Sequence, residues 1–414
     1  MTVRRVLFGV LFALLALGFS ACAKPSGMEG GTGGTTGSGG SGTGGSSSGT
    51  GGSGSTLPDF LSHGPYPFPQ GKTSGSCMLA TGSNLAPATQ NAYTSWRNSF
   101  VTSSGAPSGA LRVQDPQSVG CGSGNQTNAT VSEGMGYGLL AAVYMNDRTT
   151  FDQLLGYVNA HVDANGLMNW CITSGGSTAG AGSATDADED IAWSLLMAAA
   201  QWSSVDYYTA AQAMISAMYA HSIAGDGTLS PGDAWGSTTI FPDYFSPAYF
   251  RVFAKVGSSN WGGVILDRNY TILANIEGTK GLVPNQSDSQ SYTTSMNYGY
   301  DSCRMPWRIA MDYCFNGEQR ALSYLQKVGP FFDGIGASNI GDGYTTAGSQ
   351  TQGNHNMAFI GTAGTAGMAG WPNLLNGAFT FGVAGAGDNA YFTNSLRVVT
   401  MLMMSGNLLD YSQQ

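Results

Sequence analysis

The sequence predicts an all-α fold, a barrel or toroid of paired helices whose long loops form a cleft. Three observations point there. Eleven segments carry helix-like patterns, while strand-like alternation is scarce. Long Gly/Ser/Asn-rich loops, such as residues 171–183 and 337–352, separate the helices. Acidic residues also gather where several of those helices are expected to begin.

Taken in order, the chain opens on a leader. Arg4 and Arg5 precede an apolar run from Val6 to Phe19, shorter than the ~20 residues a membrane span needs. This is the make-up of a secretory signal over residues 1–21. Ser20 and Ala21 followed by Cys22 fit a bacterial lipobox, except that Phe19 stands where Leu is usual. Lipidation of Cys22 is therefore expected, with ordinary cleavage and a spare thiol as the alternative. Residues 22–56 read as a tether, because Lys24 to Thr56 is almost entirely Gly, Ser and Thr. Such a segment buries too little apolar area to fold and reaches ~30 Å as a coil. These features describe an exported protein, carried on the bacterial cell envelope by a lipid, or secreted if Cys22 is unmodified.

Residues 57–414 contain no second low-complexity break and read as one domain, a size that single barrels reach. Helices are expected at 89–101, 133–145, 150–161, 188–202, 207–221, 247–256, 261–276, 300–315, 318–326, 357–369 and 391–405. In the segment 188–202, Ile191, Leu195, Ala199 and Trp202 keep a 3.6-residue period. No internal sequence repeat is evident. The formal net charge is −9, and −11 once Arg4 and Arg5 are removed. That acidity argues against nucleic acid, which needs basic patches, and a monomer is expected. Besides Cys22 the chain has Cys77, Cys121, Cys171, Cys303 and Cys314, so at least one thiol stays free. A Cys77–Cys121 disulfide is expected, since both lie in Gly/Ser-rich loops near the start of the domain. Neither the cysteines nor the four histidines show ligand spacing, although His355 is placed to line a cleft, so no metal or cofactor is expected.

Crowded carboxylates raise one another's pKa, and only 10% of the residues are charged. Asp186, Asp188, Glu189 and Asp190, lying just before an apolar run, therefore need a reason. A calcium loop begins Asp-x-Asp-x-Asp, but its sixth position should be Gly and is Ile191, and its twelfth should be Glu and is Met197. The helix dipole accounts for one or two acids, not four; Asp190 reads as a helix-start charge. Glu133 opens another helix, where Thr130-x-x-Glu133 makes a plausible capping box. Gly134, Gly136 and Gly138 follow, at a cost of about 1 kcal/mol each in a helix, and point to something approaching the backbone closely. Asp301 precedes Pro306, which a helix tolerates only in its first turn. Asp301 thus lies at a helix entrance, where capping and pairing with Arg304 is the plain reading. Three acids at three helix starts can share one face of a helical barrel.

The strings SEGMGYGLL (132–140), ATDADEDIAWSLLMAAAQW (184–202) and YDSCRMPWRIAMDY (300–313) together resemble glycoside hydrolase family 8. GLMNW (166–170), LSPGDAWG (229–236) and FPDYFSPAYF (241–250) extend the likeness, in the family's order, from about residue 64 to the C-terminal helix. The resemblance implies an (α/α)6 barrel and an inverting endo-β-1,4-glycanase, with β-1,4-linked glucan or xylan as its polysaccharide partner. By motif, it implies Glu133 as general acid, Asp301 as general base and Asp186 as the residue that binds and distorts the sugar. The charge of Asp186 is expected to keep Glu133 protonated. Trp170, Trp235 and Tyr244 lie in loop-like segments and are expected to form sugar platforms. Tyr300 is expected to hold the attacking water and Arg304 to orient Asp301 and keep it ionised, whereas Trp202 reads as core. Glucanase is the leading expectation and xylanase the nearest rival. Chitosanase is disfavoured, because its base is expected on an inserted loop. The presence of all three acids disfavours an inactive carbohydrate-binding lipoprotein.

Overall fold

The computed structural model describes residues 56–121 and 124–414. The expected leader, Cys22 and all but the last residue of the tether lie outside them. Twelve α-helices occur among the described residues: α1 (Leu85–Phe100), α2 (Ser132–Tyr144), α3 (Arg148–Ala160), α4 (Thr185–Trp202), α5 (Val205–His221), α6 (Pro247–Val256), α7 (Val264–Ile276), α8 (Met305–Asn316), α9 (Gln319–Ile335), α10 (Met357–Gly367), α11 (Pro372–Ala384) and α12 (Tyr391–Met404).

Six of them form an inner ring. α2 packs on α4, α6 on α8, α8 on α10 and α10 on α12, and α12 returns to α2 to close it. α4 meets α6 through side chains: Trp193 stacks on Tyr249 at 4.3 Å, and Tyr249 Oη donates to Asp190 Oδ1 at 3.0 Å. The other six lie outside, with α3, α5, α7, α9, α11 and α1 packed on α2, α4, α6, α8, α10 and α12 in turn. This is the expected (α/α)6 barrel.

The sequence explains the two layers. Every residue from Thr185 to Gln201 in α4 is buried, as is all of α10; a helix apolar on all sides belongs in a core. The period read in 188–202 is therefore not what places α4. Outer α1 is amphipathic instead and turns Ala88, Ala92, Tyr93, Trp96 and Phe100 inward. α11 was not expected, although Pro372 at its first position is a start signal. α9 runs on to Ile335, through Pro330, instead of ending near residue 326.

Repetition that similarity does not reveal exists in the turns after α3, α5, α7 and α9. In the first, Asp163 N donates to Leu167 O and Gly166 N donates to Asp163 O. Ala224, Thr228 and Gly227 repeat this pattern, as do Gly278, Leu282 and Gly281, and Thr345, Ser349 and Gly348. The four glycines have φ of 81°, 86°, 73° and 98°, the left-handed region that glycine enters freely.

A four-stranded antiparallel sheet, Asp115–Cys121, Gly124–Val131, Cys171–Ile172 and Thr178–Gly180 in that order, leads into α2. No strand was expected there. The disulfides are Cys77–Cys314 and Cys121–Cys171, with Cys303 free and buried. The expected Cys77–Cys121 bridge is wrong. Cys77 meets the far end of α8, and Cys121 finds its partner within the sheet, so closeness in sequence misled. The calcium-loop alternative also ends here, because Asp186, Asp188 and Asp190 are helical. Among the described residues, no three His, Cys, Asp or Glu side chains are grouped to hold a metal ion.

Candidate active site

In a run of helix hairpins, alternate helices are parallel, so the inner helices present their N-terminal ends on one rim. Glu133 is the second residue of α2, Asp186 the second of α4 and Tyr391 the first of α12. Asp243 lies in the 3-10 turn Pro242–Tyr244 before α6, and Asp301 directly precedes the turn Ser302–Arg304 that leads into α8. Asn356 caps α10. The positive ends of helix dipoles thus face a group of acids.

Arg304 joins them. It is 2% exposed. Its Nη1 donates to Glu133 Oε2 at 2.6 Å and to Asp186 Oδ2 at 2.5 Å. Nη2 makes an ion pair with Asp243 Oδ2 at 2.5 Å, while Asp301 Oδ1 stays 3.9 Å away. Nε donates to the Asp301 main-chain carbonyl at 3.2 Å. Tyr391 Oη donates to Glu133 Oε1 at 2.8 Å. Exposure sorts the acids: the Asp301 side chain is 41% exposed and Glu133 19%, whereas Asp186 is 2% and Asp243 0%.

One guanidinium faces four carboxyl groups, so the site retains protons. Burial pushes Glu133 up to about 7; Arg304 opposes this, Asp186 adds to it, and the Tyr391 hydrogen bond lowers it. The expectation that Asp186 keeps Glu133 protonated thus assigns the main cause wrongly, since burial leads. Asp243 rises to about 8, again first by burial, against Arg304 and with Asp301 and Asp186 adding. Asp301 is raised by burial and Asp186 and lowered by Arg304.

Behind this group lies a second pair. Arg308 grips Asp190 through Nη1 at 2.5 Å and Nη2 at 2.8 Å, both side chains fully buried. Asp190 is therefore an ion-pair partner and not merely a helix-start charge. Asp188 and Glu189 are fully buried with no well-aligned hydrogen bond on either oxygen, and burial raises both well above the carboxylate range, against the nearby hydroxyls of Ser183 and Ser246.

The structure brings Glu133, Asp186, Asp301 and Arg304 together as the sequence led one to expect. It differs elsewhere. Arg304 pairs closely with the other three acids rather than with the Asp301 carboxylate. Tyr300 Oη donates to Asp342 Oδ2 at 2.8 Å and accepts from Asn356 Nδ2 at 3.0 Å, which leaves one acceptor lone pair on the hydroxyl of this exposed residue. Tyr244 lies under the Arg304 guanidinium, 5.5 Å from its ring centroid. Phe241 stacks on Tyr244 at 5.2 Å and Trp235 meets Phe241 at 5.9 Å, which makes an aromatic track from the acids to the exposed Trp235. Trp170 is half-buried beside the start of α2, and its carbonyl accepts from Ser132 N at 2.9 Å. Trp202 is half-buried against Phe151, and His355 Nδ1 pairs with the Ile340 carbonyl at 2.8 Å.

The capping box does not form: Val131 is the N-cap of α2 and no side chain caps it. The glycines of α2 admit protein, not ligand. A Cβ on Gly134 would come 3.2 Å from the Tyr391 ring, and one on Gly136 would come 2.9 Å from the Asp190 Cβ. Sequence reasoning missed Asp243 and Tyr391. The signal that finds them is position, at the starts of the third and sixth inner helices.

The family described as glycosyl hydrolases family 8 matches residues 66–406. The chain belongs to glycoside hydrolase family 8. This family 8 hydrolase is 39% identical over 333 residues to Endoglucanase A of Acetivibrio thermocellus, covering 75% of this chain and 68% of that one. It is 36% identical over 374 residues to Endoglucanase 2 of Ruminiclostridium josui, covering 84% and 79%. Among solved structures it is similar to a beta-1,3-1,4-glucanase from Paenibacillus sp. X4, with TM-score 0.74 and 29% identity over 82% of this chain and 98% of that one. Rex8A from Paenibacillus barcinonensis, solved with xylose, shares the fold at TM-score 0.63 and 19% identity, over 80% and 95% of the two chains. The protein is a glycoside hydrolase of the endoglucanase kind.

Proposed function

We propose that this family 8 hydrolase cuts internal β-1,4 bonds of glucan with inversion, Glu133 acting as general acid and Asp301 as general base. The observation that carries this reading is the contrast around Arg304. Glu133 combines burial, a pKa near 7 and partial exposure, which suit a proton donor. Asp301 is the exposed acid left outside the tight contacts of Arg304, which suits a group that must reach water.

Geometry supports the same pair. The Nη atoms of a guanidinium are roughly 2.3 Å apart. With contacts of 2.6 Å and 3.9 Å on either side, Glu133 Oε2 and Asp301 Oδ1 are separated by at most ~9 Å, a ceiling that an inverting pair and a closer one both satisfy. Glu133 and Asp186 share Nη1 and are at most ~5 Å apart, a spacing that suits retention. Asp186 is too buried to release a covalent intermediate to water. Its Oδ1 is buried and has no hydrogen-bond partner among the described residues. In the reaction, the protonated Glu133 gives its proton to the leaving oxygen while Asp301 takes one from the attacking water. At the outer end of the aromatic track, the exposed Trp235 offers a ring face to pyranose CH groups.

The names of the curated relatives favour glucan over xylan. The test is reducing-end release from soluble cellulose, mixed-linkage glucan, xylan and chitosan, with viscosity loss to report internal cleavage. Glucan cleavage with a rapid viscosity drop is expected, and cleavage of xylan or chitosan alone would overturn the substrate assignment. We further propose that Cys22 is lipidated and holds the protein on the cell envelope; the lipobox-like Ser20-Ala21-Cys22 supports this, and loss of labelled-lipid incorporation in Cys22→Ser tests it.

A further inference from the structure

We propose that Asp233 is a positioning residue for substrate: it clamps the loop that carries Trp235 onto the approach to α4, so that the ring is held in place before sugar arrives. The inference rests on Trp235 being a sugar platform, as argued above. Of the eight tryptophans, Trp235 is the one left exposed, at 47%. It lies in an irregular loop, residues 229–238, between α5 and the short strand Thr239–Ile240. Its own main chain makes a long turn contact, N to Gly232 O at 3.3 Å.

Asp233, two positions earlier, ties this loop to two other segments. Its Oδ1 accepts from Ser183 N at 2.8 Å, and its Oδ2 accepts from Asn165 Nδ2 at 2.7 Å in the turn after α3. Its own N donates to Ser183 Oγ at 3.4 Å. The stem of the loop is fastened alongside, where Thr185 N donates to Pro231 O at 3.0 Å and Thr185 Oγ1 donates to Ser230 O at 2.7 Å. Ser183 and Thr185 lie within three residues of Asp186, so the loop is registered on the helix start that bears the acid. The approach is close. A Cβ on Gly232 would strike the Ser183 carbonyl and come within 2.9 Å of the Trp235 ring, and one on Gly182 would lie 3.2 Å from Asp233 Oδ1.

The clamp is ionised and satisfied. Burial raises Asp233, but the hydrogen bonds from Asp163, Ser183 and Asn165, with His221 nearby, outweigh it and hold the carboxyl below its ordinary range. Asp163 is pushed up, first by burial and then by its bond with Asp233, so the proton between the two stays on Asp163. Asp163 is fixed in turn, its Oδ1 accepting from Asn165 N at 2.8 Å and Leu167 N at 3.2 Å. Ordering a loop at the moment of binding subtracts from affinity. A platform already in place avoids that loss, and a contact made equally to substrate and transition state appears in KM and not in kcat.

The test uses soluble cellulose, with a thermal melt of each variant. Trp235→Ala sets the scale: KM is expected to rise about fivefold to tenfold, with kcat within about twofold of wild type. Asp233→Ala keeps the ring and removes the clamp; it is expected to raise KM at least about threefold, again with kcat within about twofold. Because the clamp acts through the ring, the double variant is expected to match Trp235→Ala alone. A wild-type KM in folded Asp233→Ala, beside a raised KM in Trp235→Ala, overturns the positioning role and leaves the platform standing. KM rises that multiply in the double variant overturn it too. A wild-type KM in Trp235→Ala refutes the platform, and the role of Asp233 falls with it. If Asp233→Ala does not fold, Asn165→Ala decides by removing one arm of the clamp: a raised KM that disappears in the Trp235→Ala background supports the proposal, and a wild-type KM overturns it.

Discussion

Removing one hydroxyl should extend this enzyme's activity toward alkaline pH. In the structure, Tyr391 Oη donates to Glu133 Oε1 at 2.8 Å, and this contact lowers the Glu133 pKa. Tyr391→Phe deletes the donor and keeps the ring that packs against Gly134. A hydrogen bond to a charged acceptor is worth about 2 kcal/mol, and one pKa unit corresponds to about 1.4 kcal/mol. Glu133 is 19% exposed, so water replaces part of the lost contact and a rise of about one unit is expected. The sign follows directly. The hydroxyl favours ionised Glu133, so its loss favours the protonated form that donates to the leaving oxygen. The alkaline limb of kcat/KM is expected near pH 7 in the wild-type enzyme, where Glu133 titrates, and should move up by about one unit in the variant. Well above that limb the variant should outperform wild type, relative to its own plateau, by nearly tenfold. The assay is reducing-end release from soluble cellulose between pH 4 and 10, with a thermal melt at each pH to confirm folding. A limb that stays in place or moves down refutes either the action of Tyr391 or the assignment of Glu133 as the acid.

Three further outcomes are expected. Glu189 is fully buried, and burial raises its pKa well above the ordinary range, against the Ser246 hydroxyl and Arg308, which lower it. The folded state therefore holds its proton, and the stability this gives is lost as pH rises from the ordinary Glu range toward the folded value. Glu189→Gln should accordingly gain stability over wild type at pH 8 and little at pH 5 in urea denaturation; equal gains at both would contradict the burial argument. The Cys77–Cys314 disulfide spans 237 residues, and its removal by Cys77→Ser with Cys314→Ser should cost about 2–5 kcal/mol of stability. An unchanged urea midpoint would show the bridge to be idle. Gly136→Ala places a methyl 2.9 Å from the Asp190 Cβ and should destabilise by about 1–3 kcal/mol through overpacking between α2 and α4. A variant that melts like wild type would contradict that close packing.

Much of this protein is readable in its sequence, for identifiable reasons. Ten of the twelve helices were expected close to where they lie, and an eleventh, α9, was found but cut short. Helical pattern is a local property, whereas α11 lacks charged residues to mark a polar face and carries Gly377 and Gly382 inside it. Glu133, Asp186 and Asp301 were conspicuous because crowded acids or Gly- and Pro-marked helix starts drew attention to them. Asp243 stands alone among aromatics, and Tyr391 looks like any aromatic at the head of a helix. Only the closing of the ring brings Asp243 to Arg304 and Tyr391 to Glu133. Arg304 itself looked like a partner of Asp301 because the two are three positions apart, yet its tight contacts reach across the barrel to α2, α4 and the turn before α6. Pairings over such distances, the disulfides included, depend on the assembled barrel and not on local pattern.

The proposed mechanism pairs Glu133 with Asp301, and not with Asp186. The stereochemistry of the first products decides between them. Proton NMR of a short β-1,4-linked glucan oligosaccharide during the first minutes of hydrolysis, before mutarotation, should show new α-anomeric reducing ends. Initial accumulation of the β-anomer would rule out inversion by Glu133 and Asp301 and point to Asp186 as a nucleophile.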